Sequence, residues 1–181
     1  MDVQNDFCTG GALAVPKSDP VIPALNRHIA TAAAAHAPIF ASRDWHPAVT
    51  NHFAVYGGPW PVHCVADSPG ARFHDGLDLP SDAVIISKGQ NEQKPGYSAF
   101  EGQTSEGTPF GDALRQHGVT HLYVGGLATD YCVKHTVLDA LAAGLRVTVL
   151  GDAIAGVDVH PGDSQRAIEE MRAKGAEFET L

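Results

Sequence analysis

Cysteine is scarce in this chain of 181 residues, with only Cys8, Cys64 and Cys132. They are odd in number and widely spaced, with no C-x-x-C pair. That argues against a disulfide framework and against a cysteine zinc site, and it fits a reducing compartment. Positive charge is also short. Twelve Lys and Arg against 21 Asp and Glu leave a formal charge of −9, and no basic run occurs, which speaks against a nucleic-acid surface. No apolar stretch approaches the roughly 20 residues of a membrane span. The first residues lack the basic-then-apolar form of a secretory leader. We therefore expect a cytoplasmic protein that binds neither nucleic acid nor membrane. Its 44% apolar and 18% charged residues are ordinary for a globular protein. The length suits a single domain over residues 1–181 with a sizeable core.

Strand-like and helix-like segments alternate along the chain. Residues 20–37 are alanine-rich with Ile22, Leu25 and Ile29 at helical spacing, which predicts a helix. Strands are predicted at 39–42, 83–87, 121–126, 146–150 and 176–179. Further helices are predicted at 109–117, after Cys132, and over 163–174. This order implies an α/β domain with a mainly parallel sheet flanked by helices, Rossmann-like in kind. Residues 45–80, rich in Pro, Gly and His, form a loop long enough to expect a function for it.

In such folds, sites form beyond the carboxyl ends of the strands. Asp44 and His46 follow the first predicted strand, Lys88 the second and Cys132 the third. Cys132 sits on a strand-to-helix turn, where the helix dipole and free N–H groups favour a thiolate and an oxyanion. A free cysteine is also often a small buried hydrophobe. Asp44, His46, His52 and His63 lie within twenty residues of one another. One carboxylate with two or three imidazoles suits one divalent transition metal ion, either zinc, iron or manganese. The other reading is a surface loop in a chain that has ten histidines. His28, His36, His117 and His121 have no comparable company and read as structural or exposed.

Several stretches together resemble the nicotinamidases (pyrazinamidases) among the isochorismatase-like cysteine hydrolases. They are DVQNDFCTGGALAV at 2–15, SRDWHP at 42–47, WPVHCV at 60–65, KG at 88, YSAFEG at 97 and GGLATDYCV at 125–133. These segments run from one end of the chain to the other in order. The resemblance implies a catalytic triad of Asp2, Lys88 and Cys132, with Asp6 in the same motif not the catalytic carboxylate. It implies metal ligation by Asp44, His46 and His63, with His52 as a further ligand, and a pyridine pocket walled by Phe7 and Trp60. It also implies a cis peptide between Leu127 and Ala128, and an oxyanion hole formed by the N–H groups of Ala128 and Cys132. The implied reaction is hydrolysis of nicotinamide to nicotinate and ammonia through a cysteine thioester, with pyrazinamide as a further substrate. Without the resemblance, Phe7 and Trp60 read as core aromatics and Lys88 as a solvated lysine. Cys8 and Cys64 read as packing, and Thr129 and Asp130 as helix caps.

One departure stands out. The resembling family has an apolar strand before its first Asp, whereas this chain begins Met1-Asp2. We expect the first strand to be truncated and the natural start to lie upstream. Other functions remain open on these residues. They are a cysteine amidohydrolase of the same family acting on carbamoyl or ureido substrates, a non-catalytic metal-binding relative, and a thiol–disulfide oxidoreductase lacking its resolving cysteine. A monomer or a small homo-oligomer is expected.

Overall fold

The computed structural model describes residues 1–180, and its elements follow the predicted order. The strands are β1 (Phe40–Asp44), β2 (Val84–Lys88), β3 (His121–Leu127), β4 (Arg146–Ala155) and β5 (Glu177–Glu179). The helices are α1 (Val21–Ala34), α2 (Phe110–Gln116), α3 (Lys134–Ala142) and α4 (Asp163–Ala173). Every strand-to-strand pairing among these elements is parallel. The single sheet expected from the alternation is divided, however: β1 pairs with β2, while β3, β4 and β5 form a second sheet.

Met1 and Asp2 lie in the junction. Asp2 N–H donates to Ser42 O of β1 at 3.1 Å, and Met1 O accepts from Leu127 N of β3 at 3.0 Å. The Met1 nitrogen donates to Gly125 O at 2.7 Å. Asp2 has a φ of 48°, outside the extended region, so the segment bonds to both sides without running on as a strand. The two sheets are thus joined through the residue expected to act as catalytic base.

Helices cover both faces of the three-stranded sheet. On one face α1 buries Val21, Ile22, Ala24 and Leu25 with Leu127, Leu150 and Ala153. On the other, Val124, Val147 and Val149 pack against Val133, Val137 and Ala140 and against Met171 of α4. Val147 and Val149 share a face while Leu150 takes the opposite one, as a period of two requires. Helix α2 presents Phe110, Ala113 and Leu114, at i, i+3 and i+4, as its buried stripe. Phe110 and Leu114 share a core with Ile86 of β2.

Two boundaries differ from expectation by three residues or more. Helix α1 stops at Ala34, because His36 turns to a φ of 54° and Pro38 disfavours helix in the residue before it. Strand β4 runs five residues past its predicted end. Its pairing with β3 breaks after Val124↔Val149 and resumes at Gly126↔Ile154, so Gly151 marks an irregularity within the strand. The loop over 45–80 is pinned by isolated bridges between His46 and Val65 and between Phe53 and Trp60. Among the described residues, no helix is long and apolar enough to cross a membrane.

Candidate active site

The parallel register of β1 and β2 sets Asp44 opposite Lys88 at the carboxyl ends of both strands. Register partners project to the same face, so the Lys88 ammonium meets the Asp44 carboxylate, with Nζ 2.5 Å from Oδ1. The same Nζ lies 3.0 Å from Asp2 Oδ2, 3.3 Å from Cys132 Sγ and 3.1 Å from Gly96 O. Lys88 is completely buried, and Asp2, Asp44 and Cys132 are buried around it. Ligand atoms of Asp2, Asp44 and Cys132 all lie within 4.8 Å of one another. Ser42 Oγ donates to Asp2 Oδ1 at 2.7 Å, while Oδ2 accepts no directed hydrogen bond. One oxygen of Asp2 is held by Ser42 and the other by the Lys88 ammonium, so the carboxylate is fixed beside Cys132.

Electrostatics assign the charges. Burial opposes the charged form of Lys88, but Asp2, Asp44 and Cys132 outweigh it and hold the ammonium well above its ordinary pKa. Burial likewise opposes the Asp44 carboxylate, yet Lys88 and His46 keep it below the ordinary carboxylate range. For Cys132 burial wins. It pushes the thiol well above its ordinary pKa against the pull of Lys88, with Asp2 and Asp44 pushing the same way. The thiolate expected from the helix terminus is thus not the resting form, because desolvation and two carboxylates outweigh the dipole and one ammonium. A thiol held protonated by burial calls for a proton acceptor when it reacts, and the Asp2 carboxylate lies beside it.

A second cluster adjoins the first. Ligand atoms of His46, His52 and His63, all buried, lie within 4.8 Å of one another. His46 Nδ1 is 2.9 Å from Gly89 O, and His63 Nδ1 is 2.7 Å from Pro61 O. Each carbonyl accepts from the Nδ1 N–H and leaves Nε2 as the ring nitrogen available to a ligand. His46 Nε2 is buried without a hydrogen-bond partner and lies 3.5 Å from Asp44 Oδ2. Burial first, then the neighbouring imidazoles, pushes His52 down to about 4, and burial lowers His63 as well. Imidazole nitrogens gathered beside a carboxylate fit a divalent cation, which would also offset the second carboxylate that Lys88 leaves unbalanced. Gly89 is needed for this packing: its φ is +68°, and a Cβ there would stand 2.5 Å from the His46 ring.

Cys132 sits on a single π-type turn over Thr129–Val133, closed by Val133 N–H to Ala128 O at 3.1 Å. The Leu127–Ala128 peptide is cis. Phe7 and Trp60, expected as pocket walls, do line a cavity with Ala128, Cys132, Asp44 and His63. Trp60 is half-buried, so it is not a core aromatic.

Tyr97, Tyr131 and Val157 also line it and were not singled out from the sequence. Trp60 Nε1 donates to Tyr97 OH at 2.9 Å, and its ring meets Tyr131 edge-on at 5.0 Å. Both tyrosines lie inside motifs already noted, YSAFEG and ATDYCV, which was the available signal. Asp130 does not cap the helix. Its buried carboxylate accepts from Val157 N and Asp158 N at 2.9 and 2.8 Å, tying the turn that carries Cys132 to the pocket wall. Cys8 and Cys64 are buried and unpaired, as expected for packing, and burial raises both thiols.

The chain is similar to known proteins in sequence and in fold. The isochorismatase domain family matches the chain over residues 1–181. The nicotinamidase of Escherichia coli K12 is 43% identical, over 100% of this chain and 92% of that protein. The nicotinamidase/pyrazinamidase of Mycobacterium tuberculosis H37Rv is 41% identical, over 98% and 95% of the two chains. The crystal structure of the pyrazinamidase of Pyrococcus horikoshii in complex with zinc matches with a TM-score of 0.91 at 46% identity, over 99% of this chain and 96% of that one.

Proposed function

The chain belongs to the isochorismatase family, and we propose that it is an amidase converting nicotinamide and water to nicotinate and ammonia, acting as one domain over residues 1–181. Pyrazinamide, a close isostere, is a second substrate. The observation that carries this reading is the Lys88 ammonium touching Asp2, Asp44 and Cys132 at once in a buried site open to a small aromatic-walled cavity.

Asp2 takes the Cys132 proton as the sulfur attacks the amide carbon, and Lys88 stabilises the negative charge passing between them. The N–H groups of Ala128 and Cys132 hold the oxyanion. Asp2 returns the proton to the departing ammonia, leaving a thioester. It then acts as base for the water that cleaves the thioester and frees nicotinate. Phe7, Trp60 and Tyr97 hold the flat ring.

A divalent zinc, iron or manganese ion held by Asp44, His46, His63 and His52 would supply Lewis acidity for the pyridine nitrogen or for a bound water. Three imidazoles beside the nucleophile favour a pyridine amide over carbamoyl or ureido substrates, and a purely metal-binding relative has no use for a buried thiol paired with a carboxylate. Three unpaired cysteines suit a cytoplasmic enzyme, and release of nicotinate suits a role in NAD salvage.

Ammonia release from nicotinamide tests the proposal. Cys132→Ala is expected to lower turnover by at least about 10⁴-fold, as removal of a nucleophile does. A rate within tenfold of the parent would remove the thioester route. Benzamide, which lacks the ring nitrogen, is expected to bind more weakly, and equal binding would remove the pyridine–metal contact.

A further inference from the structure

Gln4 is fully buried, two residues after Asp2, in a segment that bridges antiparallel to Phe73. Its side-chain amide makes three buried hydrogen bonds. Oε1 accepts from the Asp44 backbone N–H at 2.7 Å, and Nε2 donates to Asp44 O and to Ala71 O, each at 2.8 Å. The reverse amide orientation would set two carbonyls against an oxygen and an N–H against an NH₂, so all three contacts specify one rotamer. Both backbone groups of Asp44 are therefore gripped by one side chain, much as a neighbouring strand would grip them.

That grip matters because of what Asp44 does next. Its Oδ1 faces Lys88 and its Oδ2 faces His46 Nε2, so a small rotation of its peptide moves the carboxylate between the triad and the imidazoles. Strand β1 ends at Asp44, and the sheet on its own leaves that last residue without a second strand partner. We propose that Gln4 is a positioning residue that sets the Asp44 carboxylate between Lys88 and the imidazole cluster, and so tunes cation affinity. The inference rests on the reading of Asp44 and the three histidines as a metal site.

Gln4→Met keeps the side chain's length and apolar stem and removes all three bonds. Cobalt(II) is the probe, titrated by its visible absorption into metal-free enzyme. Loss of a group that orients a ligand costs roughly 10- to 100-fold in metal affinity, and that fall with an altered cobalt spectrum is the expected result. Met171→Ala, a cavity variant in the far core, controls for stability alone. It is expected to lower Tm and leave cobalt affinity unchanged. A folded Gln4→Met with parental affinity and spectrum would overturn the role of Gln4. If Gln4→Met does not fold, Gln4→Asn, too short to span all three contacts, is read on the same scale: weakened cobalt binding supports the role and parental binding overturns it. A parent enzyme that takes up no cobalt would instead overturn the metal site itself.

Discussion

Replacing Lys88 by methionine isolates the central charge of the site. In the parent protein the ammonium stands 3.0 Å from Asp2 and 2.5 Å from Asp44, with all three groups buried. Methionine fills much of the same volume but leaves two carboxylates facing each other without a counter-charge. Breaking a buried pair in this way costs about 3–5 kcal/mol. For a protein of this size each kcal/mol moves Tm by about 2–4 °C, so the loss is about 6–20 °C. The loss is also pH-dependent, and its sign follows from Asp44. Lys88 holds that carboxyl below its ordinary range, so the parent gains stability above the ordinary carboxylate pKa and loses it as pH falls through the depressed value. In Lys88→Met this gain is gone, and the facing carboxylates relieve their repulsion by taking up a proton as pH falls. The gap between variant and parent is therefore widest near neutral pH and narrows in acid. Urea unfolding at a series of pH values, with chelator present so that no cation replaces the missing charge, measures it. A gap that is constant with pH, or a variant as stable as the parent at neutral pH, would refute the reasoning.

Two further outcomes follow from the same geometry. Burial and the two neighbouring imidazoles push His52 from 6.5 down to about 4, so on acidification the unfolded chain takes up its proton first. Metal-free protein is thus expected to lose stability between those values, and His52→Ala to lose less of it. Identical Tm–pH slopes for the two proteins would contradict the neutral, clustered imidazole. Trp60→Phe keeps an aromatic wall and removes the Nε1 hydrogen bond to Tyr97. One neutral hydrogen bond is worth about 0.5–1.5 kcal/mol, which converts to a rise in KM of roughly two- to tenfold with kcat held. If kcat falls further than KM rises, Trp60 acts on the chemistry and not on ring binding.

Much of the site was legible before any coordinates, because it is built at strand ends. Asp44, Lys88 and Cys132 each close or follow a segment whose apolar run already reads as a strand, and parallel strands deliver such residues to one edge. The imidazoles were legible by proximity in sequence, and the long loop that carries them folds back locally. Other features left no local trace. The division of the sheet depends on how Met1 and Asp2 bond to both sides, which no periodicity records. The extension of β4 depends on pairing that resumes after Gly151, a residue that reads as a stop. Gln4 and Asp130 act on backbone groups 40 and 27 positions away, so their neighbours in sequence say nothing of it.

Composition and periodicity determined the class of fold and the parallel character of its sheet, because both are written in short-range spacing, and the resemblance carried by the motifs supplied the roles of Asp2, Phe7 and Trp60. Tertiary structure alone decided the charge states. Whether Cys132 rests as thiol or thiolate depends on the balance of burial, one ammonium and two carboxylates, and those groups come from distant parts of the chain. Desolvation and Coulomb terms depend on distance and on excluded water, and neither exists until the segments have packed.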